Sequence, residues 1–215
     1  MALSTARIVI CYDHQKAIDE CRAQGGLVVL CHPHWQHRNY WAPEALAALR
    51  GYTGIEIFNT VIFRLTGTGL ATDLWDEMLS QGRLMWGFAN DDFHRWFDLA
   101  RCWNLVWARP GDNDDLKNAL AAGRFYASTG LVLKDIGFEN GTIHVAAEAP
   151  GSYDNRLCYA FYGHGGRLLS EQLDESAQYT PAAGEPYVRV QVTASHGAMM
   201  WLQPFYEASL FGSGI

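Results

Sequence analysis

The stretch Leu27-Val28-Val29-Leu30-Cys31-His32-Pro33-His34-Trp35 constrains this chain more than any other. Its branched aliphatic run shows no amphipathic period and predicts a strand buried on both faces, as in a parallel sheet. Pro33 cannot donate to a sheet ladder, so the strand stops there. His32 and His34 then stand at its carboxyl end, the rim where α/β folds place their sites. A second apolar run, Leu84 to Ala89, ends in Asn90-Asp91-Asp92-Phe93-His94. Two strand ends bearing imidazoles and carboxylates point to a divalent metal, with zinc, manganese or iron as the expected ion and one or more ions bound.

Helical and extended patterns alternate through the first half. Asp13 to Gln24 carries Ala17, Ile18 and Cys21 at helical spacing, with Asp13 as N-cap and Gly25-Gly26 as its stop. Pro43 to Arg50, Ala71 to Gln81 and Asp112 to Ala122 read as further helices, each followed by glycine. Gly54 to Asn59 and Cys102 to Ala108 read as strands. The alternation predicts an α/β domain with a largely parallel sheet over residues 1–129. From about residue 130 the runs are short and strand-like, and Asn140-Gly141 is a hairpin signal. Tyr187 to Val192 alternates with period two, which predicts one solvated face. Residues 130–215 are therefore expected to form a small antiparallel, sandwich-like β-module.

The composition excludes several classes of function. A chain of 215 residues that is 49% hydrophobic and 18% charged can bury a sizeable core. A net charge of −7, with no basic stripe, argues against nucleic acid as partner. No apolar run reaches the ~20 residues of a membrane span, and no signal peptide is evident. The five cysteines form no CxxC pair, as expected of reduced thiols in the cytoplasm.

Asp92 and His94 are the best-placed candidate ligands after His32, because alternate residues of an extended segment share one face. Asp92 is also a candidate catalytic residue. His34, beside Trp35, is a candidate for contacting substrate during catalysis. Glu56 sits in an apolar strand, where a carboxylate must be paired or bound to a cation; Arg50 and Arg64 are possible structural partners. Asn59 and Asn90 follow strands and can orient ligands or substrate. Arg124, in Gly-Arg-Phe-Tyr-Ala-Ser-Thr-Gly, either binds an anionic group or fastens the two modules together.

Gly25–Trp35, Gly54–Asn59 and Gly87–His94, taken in this order and spacing, resemble the later motifs of the PHP (polymerase and histidinol phosphatase) superfamily, in its carbaryl-hydrolase-like branch. The resemblance implies the C-terminal part of a distorted (β/α)7 barrel, then a β-rich module closing at Trp201-Leu202-Gln203-Pro204. It implies a metal-dependent hydrolase of phosphoesters or related esters, with a small-molecule substrate and metal-activated water. His32 matches the family's His-Pro motif, and Asp92 and His94 match its closing Asp-x-His. The family's earlier motifs, including its N-terminal His-x-His, are not found. That departure predicts an open sheet edge, met by self-association or by a chain supplying the missing half. It also leaves an alternative, a non-catalytic remnant that binds a ligand or partner.

Overall fold

The computed structural model describes residues 1–37, 41 and 43–210. The run at 27–30 does form a strand, β2 (Leu27–Leu30), and all four of its residues are buried. It lies in a four-stranded sheet, in the order β1 (Ala2–Leu3), β2, β3 (Gly54–Asn59), β4 (Trp86–Asn90). β2, β3 and β4 are parallel, and β1 covers the outer edge of β2 in the antiparallel sense. Helix α1 (His14–Ala23) leads into β2, α2 (Pro43–Ala48) connects β2 to β3, and α3 (Thr72–Ser80) connects β3 to β4. Asp13 caps α1 by accepting from the Lys16 N–H. Ile18, Cys21, Leu46, Trp75 and Met78 from the helices pack with Val28, Leu30, Ile55 and Ile57 in one core cluster. Gly54 permits the close approach of β3 to β4: a Cβ there would sit 2.3 Å from the Trp86 carbonyl oxygen.

The expected barrel does not form. Beyond β4 the chain turns away: β5 (Trp103–Val106) pairs antiparallel with β6 (Phe125–Ser128), separated from it by α4 (Asn113–Ala121). Both belong to an antiparallel sheet with later strands, β9 (Leu157–Gly163), β10 (Arg167–Asp174), β12 (Tyr187–Thr193) and β13 (Met199–Leu202), in the order β10-β9-β12-β13-β6-β5. β14 (Phe205–Tyr206) pairs with β12. A third sheet has the order β11-β8-β7, built from β7 (Val132–Glu139), β8 (Thr142–Glu148) and β11 (Ser176–Tyr179). Ile143 and Val145 of β8 pack against Tyr159, Phe161, Val190 and Val192. Antiparallel strands thus dominate, and the parallel sheet stays open.

The outer edge of β4 shows why no strand adds there. Gln203 accepts from the Gly87 N–H and donates to the Gly87 carbonyl, both at 2.9 Å. Asn104 does the same for Ala89, at 3.0 and 2.9 Å. Two side-chain amides thus stand where the peptides of a neighbouring strand would be, and blunt an edge that would otherwise recruit one.

β12 departs from the solvated face that its alternation predicted. Tyr187 to Val190 are all buried. Arg189 forms a buried two-pronged ion pair with Asp76 of α3, and Tyr187 donates to the same carboxylate at 3.0 Å. Gly166, at φ +71°, lets the β9–β10 turn approach this pair; a Cβ there would lie 2.9 Å from Asp76 Oδ2.

Candidate metal-binding rim

Parallel strands place their carboxyl ends side by side, and here the ends of β2, β3 and β4 meet through one hydrogen-bonded network. Glu56 is 3% exposed and is its hub. Its Oε2 accepts from the His32 backbone N–H at 2.5 Å and from Asn59 Nδ2 at 2.9 Å. Its Oε1 accepts from Asn90 Nδ2 at 2.6 Å. Neither Arg50 nor Arg64 pairs with it: Arg64 binds Asp98, and Arg50 binds backbone carbonyls. Burial raises the Glu56 pKa above the usual carboxylate range, against the opposing pull of Asn59, Asn90 and the His32 N–H.

Asn59 ties two carboxylates together. Its Nδ2 donates to Glu56 and also to Asp92 Oδ2 at 3.3 Å, while its Oδ1 accepts from the Ile62 N–H and so fixes the amide's orientation. His32 and Asp92 leave their strands through left-handed backbone, at φ 35° and 52°. Such conformations are uncommon outside glycine and cluster at functional sites.

His94 Nδ1 lies 2.5 Å from the Asp92 carbonyl and 3.6 Å from Asp92 Oδ1. A carbonyl only accepts, so the neutral ring carries its proton on Nδ1 and its lone pair on Nε2. The backbone thus presets the tautomer that a metal ligand needs. The loop is held by two further aspartates that the sequence did not single out. Asp91 accepts from the N–H groups of Ala100, Arg101 and Cys102. Asp98 accepts from those of His94 and Arg95 and pairs with Arg64, which holds its pKa down at about 2.

His34 is turned toward α3, where its Nε2 donates to Asp73 Oδ1 at 2.8 Å. Asp73 was not recognisable as its partner, because 39 residues separate the two. The His32 ring meets Trp35 edge-on, and Trp35 stacks on His37. Arg124 is not part of the rim. It donates to Asp115 of α4 and to the Trp107 carbonyl, and lines a cavity with Trp86, at the opposite end of β4 from Asn90.

No family model, no curated protein and no solved structure matches this chain. Function is therefore read from the rim itself. Its imidazole and carboxylate donors suit a divalent transition metal. His94 approaches the Asp92 carboxylate through its protonated Nδ1, at 3.6 Å, so its Nε2 must turn to share an ion with Asp92, and His32 stands at the end of β2, with β3 between it and β4. Among the described residues, no three His, Cys, Asp or Glu side chains are already grouped around one point. A third protein ligand would require movement of the His32 ring from its contact with Trp35.

Proposed function

We propose that this chain is a metal-dependent hydrolase related to the PHP superfamily, acting on a small phosphoester or related ester from an open sheet. The convergence of His32, Glu56, Asn59, Asn90 and Asp92 at three adjacent strand ends carries this reading. Asp92 and His94, with His32, would hold one zinc, manganese or iron ion. When bound, such an ion supplies an activated water and polarises the scissile group. Asn59 and Glu56 keep the Asp92 carboxylate in place. Asp73 holds the His34 proton on Nε2, leaving Nδ1 as a proton acceptor toward substrate. The five cysteines are all unpaired, in keeping with a reducing cytoplasmic setting. Among the described residues, no helix is long and apolar enough to cross a membrane.

A second reading, a ligand-binding protein without catalysis, draws on the ungrouped state of the ligands. One experiment separates the two. Protein purified without chelator is assayed for bound metal, before and after excess manganese or zinc, and then screened against aryl phosphoesters and esters. The hydrolase reading expects bound metal and turnover, both lost in His32→Ala and Asp92→Ala. Absence of binding at excess metal refutes it and leaves the binding protein.

A further inference from the structure

The loop after β4 presents an apolar face to solvent. Trp96 is 84% exposed, Phe93 and Phe97 51% each, and Phe63 on the neighbouring helical turn 61%. At ~150–250 Å2 for a fully covered aromatic side chain, and with Leu65 and Leu99 beside them, they expose roughly 600 Å2 of apolar side chain. Single exposed residues are ordinary, but a contiguous patch of this size marks an interaction site.

Beside the patch is a cavity of about 500 Å3 lined by Phe58, Phe63, Arg64, Phe97 and Met199. The remaining wall is polar, with Thr60, Asp98 and Arg101, so the same face carries a protruding indole and a hollow with three phenylalanine rings in its wall. This is the requirement for a twofold interface, in which each copy offers what the other receives. We propose that the face is a homodimer interface, with Trp96 of each copy seated in the Phe63–Phe97 cavity of the other.

Charge favours this occupant. Arg64, Arg95 and Arg101 are balanced by Asp91, Asp92 and Asp98 on the same segments, and the whole chain carries −7, so an anionic lipid surface gains little here. The face itself carries no excess of either sign, so two copies meet there without local like-charge repulsion, and the −7 on each whole chain is screened by salt. Arg64 and Arg95 already lie over the Phe97 ring, at 5.4 and 5.9 Å, and a second aromatic ring extends that arrangement. Two such faces bury about 1,200 Å2, the lower edge of specific interfaces, so the dimer is expected to be of micromolar rather than nanomolar affinity. The inference is independent of the hydrolase reading. It would brace the loop that carries Asp92 and His94.

Analytical ultracentrifugation of the full chain over about 1–100 μM tests it. The expected result is a monomer–dimer equilibrium weakened about thirtyfold or more by Trp96→Glu and by Phe63→Glu, as for a central aromatic anchor and its pocket. Both side chains are exposed, so circular dichroism should show unchanged folds. A wild-type monomer at about 100 μM overturns the proposal, including one that sediments with phosphatidylserine vesicles. So does a dimer whose dissociation constant neither substitution moves.

Discussion

Arg189→Met is the most informative single perturbation of the fold. Arg189 Nε donates to Asp76 Oδ1 at 2.7 Å and a terminal nitrogen donates to Oδ2, with side-chain exposures of 4% and 5%. The guanidinium also lies 4.3 Å from the centre of the Tyr162 ring. Methionine keeps much of the stem that packs there, so the loss is chiefly the charge. Asp76 would retain Tyr187, whose hydroxyl stays a protonated donor because burial pushes its pKa up to about 12. One neutral hydrogen bond does not compensate a buried carboxylate. Breaking a buried pair from one side costs about 3–5 kcal/mol, against a total stability of about 5–15 kcal/mol.

Urea denaturation followed by circular dichroism reads this directly. With m of about 2–3 kcal/mol/M, the midpoint should fall by about 1–2.5 M. The double variant Asp76→Leu/Arg189→Met removes both charges and should recover most of the loss, because an apolar replacement of a buried pair is often neutral. A cost below about 1 kcal/mol for Arg189→Met, or a double variant as unstable as the sum of the singles, would refute the claim that α3 is docked on β12 through this pair.

Two further outcomes follow from the same geometry. Asp98 titrates near 2 in the folded chain against an ordinary ~3.9, so its contribution is present above about pH 4 and is lost as pH falls toward 2. Asp98→Asn should therefore melt below wild type at neutral pH, with the gap closing under acid; a gap independent of pH contradicts the Arg64 pairing as its source. Gln203→Ala should cost about 1–3 kcal/mol and speed hydrogen exchange at the Gly87 amide, because a buried edge donor and acceptor lose their partners; unchanged protection of Gly87 would show that the edge is satisfied otherwise.

The legible parts of the sequence were those decided by local chemistry. Strand β3 has the predicted bounds, Gly54–Asn59. Asp13 caps its helix through the Lys16 N–H. Asn140 and Asn-linked Gly141 form the predicted two-residue turn, both with positive φ, 51° and 79°. At the site, the strand ends could be located because apolar runs stop at Pro33 and Asp91. What stayed hidden depended on distant partners. The direction of β5 is set by pairing with β6 and by Asn104 reaching back to Ala89, neither of which leaves a local pattern. Arg189 reads as a solvated position until Asp76, 113 residues away, is placed beside it. The same applies to Asp73 and His34. The resemblance implied part of a (β/α)7 barrel because the motifs of β2, β3 and β4 are those of strands, and strand motifs do not specify what lies beyond the last edge.

That edge connects the fold to the rim. Gly87 and Ala89 are alternate residues, so their peptides face the same side, and a single amide can serve each as both donor and acceptor. Asn104 does more than close the edge: its Nδ2 also approaches Asn90 Oδ1 at 3.3 Å, and Asn90 Nδ2 in turn donates to Glu56. A continuous path therefore runs from Asn104 through Asn90, Glu56 and Asn59 to Asp92. Each amide orientation is set by the one before it, because a carboxylate accepts only and a peptide N–H donates only. Without Asn104, Asn90 could flip and turn its oxygen toward Glu56, leaving a buried carboxylate facing an acceptor. The antiparallel sheet that supplies Asn104 and Gln203 therefore does more than stabilise an open α/β edge; it fixes the polarity of the network that holds the candidate ligand Asp92 in place.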